Sequence, residues 1–344
     1  MTAIRVEREC AVLAEALSLD DYDRTRVPRP EVEYAAALAI VYLHDEDGER
    51  YRVERVFDEG AQDTSSVASV RFGAPDLLGP RPLLWPDRPQ ERKEAVAYGR
   101  SAEEVRWSNA DVEFGVSEAG VTWRDGGGRL HVSLHRMADR GYFIWIPEQH
   151  GFPCQYHRGE MFRAEGILEG RTVTGWGYLD YAFGARGRRF VDLPMVLHLN
   201  KLWATWFASF EDGGEVAGAL RWGRARWDWS MAYVVADGVP EVYDPVAVTI
   251  AYQPNRTVRG AAVTVGDEHL AFSQEWRLRR QLTTLGTLAD HSRGVPLSST
   301  AELEWMPDNA PDLFAAVESG RLTRELMASM RIEGERIVVP GVLA

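Results

Sequence analysis

Residues 202–238 read LWATWFASFEDGGEVAGALRWGRARWDWSMAYVVADG. Three apolar, aromatic-rich runs lie here: Leu202 to Phe210, Glu215 to Trp222 and Trp227 to Val235. Asp212-Gly213-Gly214 separates the first two, and Asp237-Gly238 closes the third. Such runs, broken by turn dipeptides, read as successive antiparallel strands. The texture continues downstream in Ala247 to Tyr252, Thr257 to Val265 and Leu270 to Trp276, with Pro254-Asn255 and Gly266-Asp267 between them. Upstream, Val32 to Leu43 meets Asp47-Gly48 and returns through Tyr51 and Val53, and Val67 to Phe72 forms another run. Asp111 to Ser117 turns at Glu118 to Gly120 into Val121 to Trp123. After Gly126 to Gly128, Leu130, Val132 and Leu134 alternate with His131, Ser133 and His135, and Arg171 to Trp176 follows. Short strands at regular spacing predict an antiparallel meander closing into a barrel or sandwich. Apolar spacing of three and four predicts helices at the ends, over Val6 to Leu19 and over Pro311 to Arg331 with a break at Gly320. The absence of a βαβα pattern argues against a nucleotide fold.

Composition narrows the function classes. The 344 residues are 45% hydrophobic and 26% charged, enough apolar material for a core without staples. Thirty-nine basic against fifty-two acidic residues give a net charge of −13, which repels phosphate backbones and anionic lipid. Lys93 and Lys201 are the only lysines, a bias that a GC-rich genome explains. Two cysteines, Cys10 and Cys154, make no disulfide framework. Met1 to Glu9 lacks the apolar run of a signal peptide, and no stretch of 18 apolar residues reads as a membrane span. The expected location is the cytoplasm, with no nucleic-acid partner.

Five prolines, Pro75, Pro80, Pro82, Pro86 and Pro89, mark residues 74–92 as an irregular excursion that still carries Leu83, Leu84 and Trp85. Such a segment is a lid over a cavity or a strap on the outside of a sheet. Several familiar motifs are absent. Gly175-Trp176-Gly177 lacks the later glycine of a dinucleotide turn, and Gly115-Val116-Ser117 does not continue as a nucleophile elbow. His131 and His135, four residues apart on a strand, stand about 13 Å apart and cannot share one metal ion. No metal or cofactor is expected.

Two segments hold unusual chemistry. One runs from His150-Gly151-Phe152-Pro153 into Tyr156-His157-Arg158-Gly159-Glu160. The other, Gly175 to Arg186, sets Asp180 among Trp176, Tyr178, Tyr181 and Phe183. Burying an ionised aspartate in a strand costs several kcal/mol. Asp180 therefore either pairs with a cation, with Arg186 and Arg188 nearest in sequence, or keeps its proton and can donate it. The plainer alternative is that Asp180 caps a turn and ties Arg186 to the sheet. Six of the twelve tryptophans lie between Trp176 and Trp229. They fill a core or seam, or they wall an aromatic cavity for a hydrophobic ligand.

The stretch from Tyr156 through Arg186 resembles the signature of the AttH-like and carotenoid hydratase (hydroxyneurosporene synthase) proteins. Gly175, Gly177, Asp180, Gly184 and Arg186 match that pattern, whereas Leu179, Tyr181 and Phe183 depart from it. The His-to-Glu spacing from His157 to Glu160 also differs by one. The resemblance implies a mainly β protein of two lipocalin-like (calycin) antiparallel β-barrels in tandem, with short terminal helices. The expected divisions are a lead-in over 1–30, a first barrel over 31–165 and a second over 166–344. It further implies cofactor-independent hydration, isomerisation or cyclisation of terpenoids, polyketides or steroid-like molecules. In that reading Asp180 donates the proton and Glu160 or His157 is the complementary base. Tyr178 and Tyr181 position oxygen substituents, Arg186 contributes to ligand binding, and Trp176, Trp203, Trp206 and Trp229 wall the pocket.

Two other readings stay open: a carrier that only buries such a ligand, and a glycan-active protein with Glu160 and Asp180 facing each other across a cleft. Edge strands and outward tryptophans are compatible with a homodimer.

Overall fold

The computed structural model describes residues 3–57, 64–72, 81–82, 94–224, 226–252, 258–277, 283–322, 326, 329 and 331–343. The chain is mainly β and divides into two compact units. The first is Glu7–Leu193 with Asp237–Glu241, and the second is Met1–Val6, Pro194–Ala236 and Val242–Ala344. Each unit is built on a curled antiparallel half-barrel sheet, which matches the tandem lipocalin-like barrels expected above.

In the first unit the main strands are β1 (Glu9–Val12), β2 (Val32–Asp45), β3 (Arg50–Phe57), β4 (Thr64–Phe72), β5 (Ala97–Arg100), β6 (Val105–Ser108), β7 (Glu113–Ser117), β8 (Gly120–Asp125), β9 (Leu130–Arg136), β10 (Tyr142–Ile146), β11 (Gln155–Leu168) and β12 (Arg171–Ala185). Their order is β4-β3-β2-β12-β11-β9-β8-β7-β6-β5, and β10 joins the far end of β11 to β1. Six strand steps separate β3 from β7, about 29 Å in a flat sheet. Yet the rings of Phe57 on β3 and Phe114 on β7 lie 4.8 Å apart. The sheet therefore curls around an aromatic core of Phe57, Trp107, Phe114, Trp123 and Tyr181. Arg55 on β3 closes the curl by a bidentate pair to Asp125 on β8, Nε to Oδ2 and Nη2 to Oδ1 both at 2.7 Å, with no exposed surface on either side chain.

The second, nine-stranded sheet consists of β13 (Asn200–Ser209), β14 (Glu215–Gly223), β15 (Ser230–Ala236), β16 (Val239–Tyr243), β17 (Ala247–Tyr252), β18 (Val258–Val265), β19 (Glu268–Arg277), β20 (Thr283–His291) and β21 (Ser298–Trp305), all within the second unit except the start of β16. They run in the order β16-β15-β14-β13-β21-β20-β19-β18-β17. The turn signals at Asp212-Gly213-Gly214, Asp237-Gly238 and Gly266-Asp267 fall between strands, with Gly213, Gly238 and Gly266 all at positive φ, whereas Pro254-Asn255 lies outside the described residues.

Three expectations change. The helix expected over Val6 to Leu19 is instead the edge strand β1, hydrogen-bonded to β10, followed by a four-residue helix α1 (Leu19–Tyr22). Pairing with β10 satisfies the backbone there, and Asp21 accepts hydrogen bonds from the Ser18 amide and hydroxyl at the helix start. The C-terminal helix α2 covers Ala310–Glu318, with Gly320 at φ +69° at the expected break; residues 323–325, 327–328 and 330 of the expected span lie outside the described residues, and its last residue, Arg331, is instead part of a small hairpin of Arg331–Glu333 and Arg336–Val338. The units part at Leu193, not at 165, because β11 pairs with β12 along its whole length. The lid or strap expected over residues 74–92 lies outside the described residues, apart from Arg81–Pro82, which pairs with β4. No described helix is long and apolar enough to cross a membrane.

Candidate functional site

The strands β11 and β12 carry both chemical segments, and their register decides which residues meet. Arg158 lies opposite Tyr181, Gly159 opposite Asp180, and Glu160 opposite Leu179. Residues directly opposite share a face, and successive residues alternate. Tyr156, Phe162, Leu179, Tyr181 and Phe183 belong to the core of the curled sheet, so Arg158 and Glu160 face inward with them. His157, Gly159, Tyr178 and Asp180 therefore face the other way.

The outward face holds a buried polar cluster. His157 and Asp180 are 1% and 0% exposed, and Nδ1 of His157 stands 3.6 Å from Oδ2 of Asp180. Neither ring nitrogen of His157 has a hydrogen-bond partner among the described residues. The ring of Phe190 lies 6.4 Å from the imidazole. Beside this pair the hydroxyls of Tyr142 and Tyr178 share a hydrogen bond of 2.7 Å, with both residues fully buried. Gly159 makes this arrangement sterically feasible. A Cβ there would stand 2.9 Å from Tyr142 Cε1 and 3.0 Å from the Tyr178 hydroxyl.

The inward face holds a different cluster. Tyr22, from α1, donates a hydrogen bond to Oε1 of Glu160, and Arg136 Nε donates to Oε2 at 3.0 Å. Arg136 also donates to the Tyr22 hydroxyl at 2.8 Å and to the carbonyls of Ser117 and Glu118. Burial raises the pKa of Glu160 against the opposing pull of Arg136 and Tyr22. Burial, reinforced by Glu160, holds the Tyr22 phenol well above its ordinary value.

The site residues expected from sequence thus fall into separate groups. Asp180 and His157 come together. Glu160 lies on the opposite face from Asp180, so the two carboxylates do not flank one cleft, and the glycan reading falls with that geometry. Tyr178 joins the His157–Asp180 face, whereas Tyr181 points into the core with Glu160. Asp180 lies diagonally across from His157, 3.6 Å away, while Arg186 and Arg188, the cations nearest in sequence, sit exposed past the end of β12. Trp176 shares the outward face but lies four residues from Asp180, about 13 Å along the strand, and its ring neighbour is His44 at 6.0 Å.

Trp203, Trp206 and Trp229 belong to the second unit. Trp206 is core, packed on Phe272 and over Gly218. Trp229 donates to Asn200 Oδ1 at 2.8 Å, and Trp203 lies 3.6 Å under the guanidinium of Arg221. His131 and His135 are exposed on β9, and His135 meets Glu165 at 3.2 Å. No group of three or more metal-ligating side chains occurs among the described residues.

Tyr142, Gly159, Tyr22 and Arg136 were not singled out from sequence. Tyr142 and Gly159 become visible only once β10 and β12 are both registered on β11, and Tyr22 only once α1 is placed against that sheet.

No family model matches the chain, and no curated protein does. Among solved structures, the fold is similar to a crystal structure of kievitone hydratase from Nectria haematococca. The two are 8% identical, the likeness covers 86% of this chain and 94% of that one, and the TM-score is 0.44.

Proposed function

We propose that this protein is an enzyme that moves a proton on a hydrophobic small molecule, without a metal or nucleotide, at the outward face of β11 and β12. One observation supports the reading: an imidazole and a carboxylate, both removed from water, face each other at 3.6 Å beside a pair of hydrogen-bonded tyrosine hydroxyls. Solvent-excluded ionisable pairs of this kind are costly to build and are concentrated at functional sites. Asp180 orients the imidazole and compensates its charge when His157 takes up a proton. His157 gives that proton back at the neighbouring carbon or oxygen. Tyr178, supported by Tyr142, faces the oxygen on which negative charge develops. This constellation suits isomerisation, cyclisation, or addition and removal of water on a terpenoid, polyketide or steroid-like skeleton. It is the chemistry implied by the resemblance to the AttH-like and carotenoid hydratase proteins.

The test begins with native mass spectrometry of the purified protein and extraction of any hydrophobe that travels with it. With that compound or a close analogue, Asp180→Asn lowers turnover by about 10²–10⁴-fold, the usual worth of positioned proton transfer, while affinity stays within a few-fold. Equal loss of binding and turnover would assign Asp180 to the architecture instead. Recovery of the ligand chemically unchanged by the wild-type protein would make this chain a carrier.

A further inference from the structure

The guanidinium of Arg158 sets a problem that the outward site does not solve. Arg158 lies on the inward face, its side chain 6% exposed, 5.3 Å from the ring of Tyr181 and 5.4 Å from that of Phe183. Its Nη1 reaches Asp21 Oδ1 at 3.2 Å. Nε and Nη2, the two parallel donors along the other edge, are buried and have no hydrogen-bond partner among the described residues.

Elsewhere in the same unit that edge is used. Arg55 presents Nε and Nη2 to the two oxygens of Asp125 at 2.7 Å each, and Arg189 presents the same pair to Asp192 at 2.9 Å each. A guanidinium edge fits a planar carboxylate with two parallel hydrogen bonds, and buried donors are nearly always satisfied. The surroundings favour one more anion. Glu160 is already engaged by Arg136 and Tyr22, and its burial shifts it toward the uncharged form. Asp21, on the short helix α1 and 36% exposed, is the group that would yield first.

We infer that the Nε–Nη2 edge of Arg158 is a binding site for the carboxylate of a small hydrophobic acid, whose apolar part lies against Tyr181 and Phe183. Asp21 then acts as an internal competitor from the rim. The site is on the opposite face of β11 and β12 from His157 and Asp180 and does not depend on the proposed catalytic role of that pair.

The test uses the full chain and two probes of equal shape, phenylacetate and its neutral amide, phenylacetamide, in titration calorimetry. Wild-type protein binds the carboxylate about tenfold more tightly than the amide, the discrimination expected of one charge-assisted pair. Arg158→Gln abolishes the preference, whereas Arg124→Gln, at an exposed arginine on β8, retains it. Asp21→Asn tightens phenylacetate a few-fold by removing the competitor and leaves phenylacetamide unchanged. Equal affinity for the two probes, no binding of either, or a preference that survives Arg158→Gln would overturn the inference. If Arg158→Gln does not fold, Asp21→Asn decides, because an unchanged phenylacetate affinity contradicts the competition.

Discussion

The two sheets arrange their buried polar side chains differently. In the second unit they fasten chain segments to one another. Lys201 reaches Asp308 at 3.1 Å and Glu335 at 2.9 Å, Arg224 donates to the carbonyls of Leu197, Asn200 and Asp308, and Trp229 donates to Asn200. In the first unit Arg55 and Asp125 do the same across the curled sheet. Buried donors that the described residues do not use occur in both units, at Trp206 and Gln274 in the second, but on β11 two ionisable side chains of this kind, His157 and Arg158, stand next to each other. Packing alone would remove such groups, since an apolar side chain of similar size costs less to bury. The adjacency of two ionisable members marks the middle of β11, from His157 to Glu160, as a part of the chain shaped by something other than stability. Tryptophan, by contrast, is commoner in the second unit, which holds seven of the twelve, and there Trp206 serves the core.

The sharpest way to probe this contrast is at the purely structural pair. Arg55→Met leaves Asp125 buried and uncompensated and costs about 3–5 kcal/mol, read from chemical denaturation. The double variant Arg55→Met, Asp125→Leu recovers most of that loss. A double variant as unstable as the single one would mean that Arg55 and Asp125 do more than close the sheet.

Gly218→Ala places a Cβ 2.1 Å from the Trp206 indole and costs about 1–3 kcal/mol by overpacking. It lowers the melting temperature and leaves turnover intact below the transition. Loss of turnover in the folded variant would tie Trp206 to the chemistry.

The smallest effect concerns the anchor of α1. Burial alone would raise the pKa of Asp23, but hydrogen bonds from Thr25, Arg100 and Tyr98 outweigh it and bring the carboxyl from 3.8 to about 2. A lowered carboxylate pKa stabilises the folded chain above the unfolded value, and that contribution is lost as pH falls from about 4 toward 2. Asp23→Asn removes this part of the acid limb in pH-dependent melting. An identical acid limb in the variant would show that Asp23 is not differentially stabilised on folding.

Much of the strand pattern is legible in the sequence because turn dipeptides and alternation are local signals. Asp47-Gly48, Asp212-Gly213-Gly214 and Asp237-Gly238 each lie between successive strands. The edge strand β1 is not legible, since Val6, Cys10 and Leu13 show a helical spacing and only pairing with β10 overrides it. Nor is β11, whose Arg158, Gly159 and Glu160 lower its strand propensity and whose burial depends on partners on both sides. The candidate site suffers the same limit. Composition singles out Asp180, His157 and Glu160, but the faces on which they stand depend on a register between strands that no local pattern encodes. One position of register separates a carboxylate dyad from a histidine–aspartate pair on one face and a glutamate on the other.

The most direct measurement is isotope uptake. The hydrophobe recovered from the protein is incubated in deuterium oxide with wild-type, His157→Gln, Asp180→Asn and Glu160→Gln chains, and its mass is followed over time. The outward pair predicts deuterium gain with wild type and with folded Glu160→Gln, and a large slowing in His157→Gln and Asp180→Asn. Uptake that survives in both of those variants, or that stops only in Glu160→Gln, would place the chemistry on the other face and contradict the account.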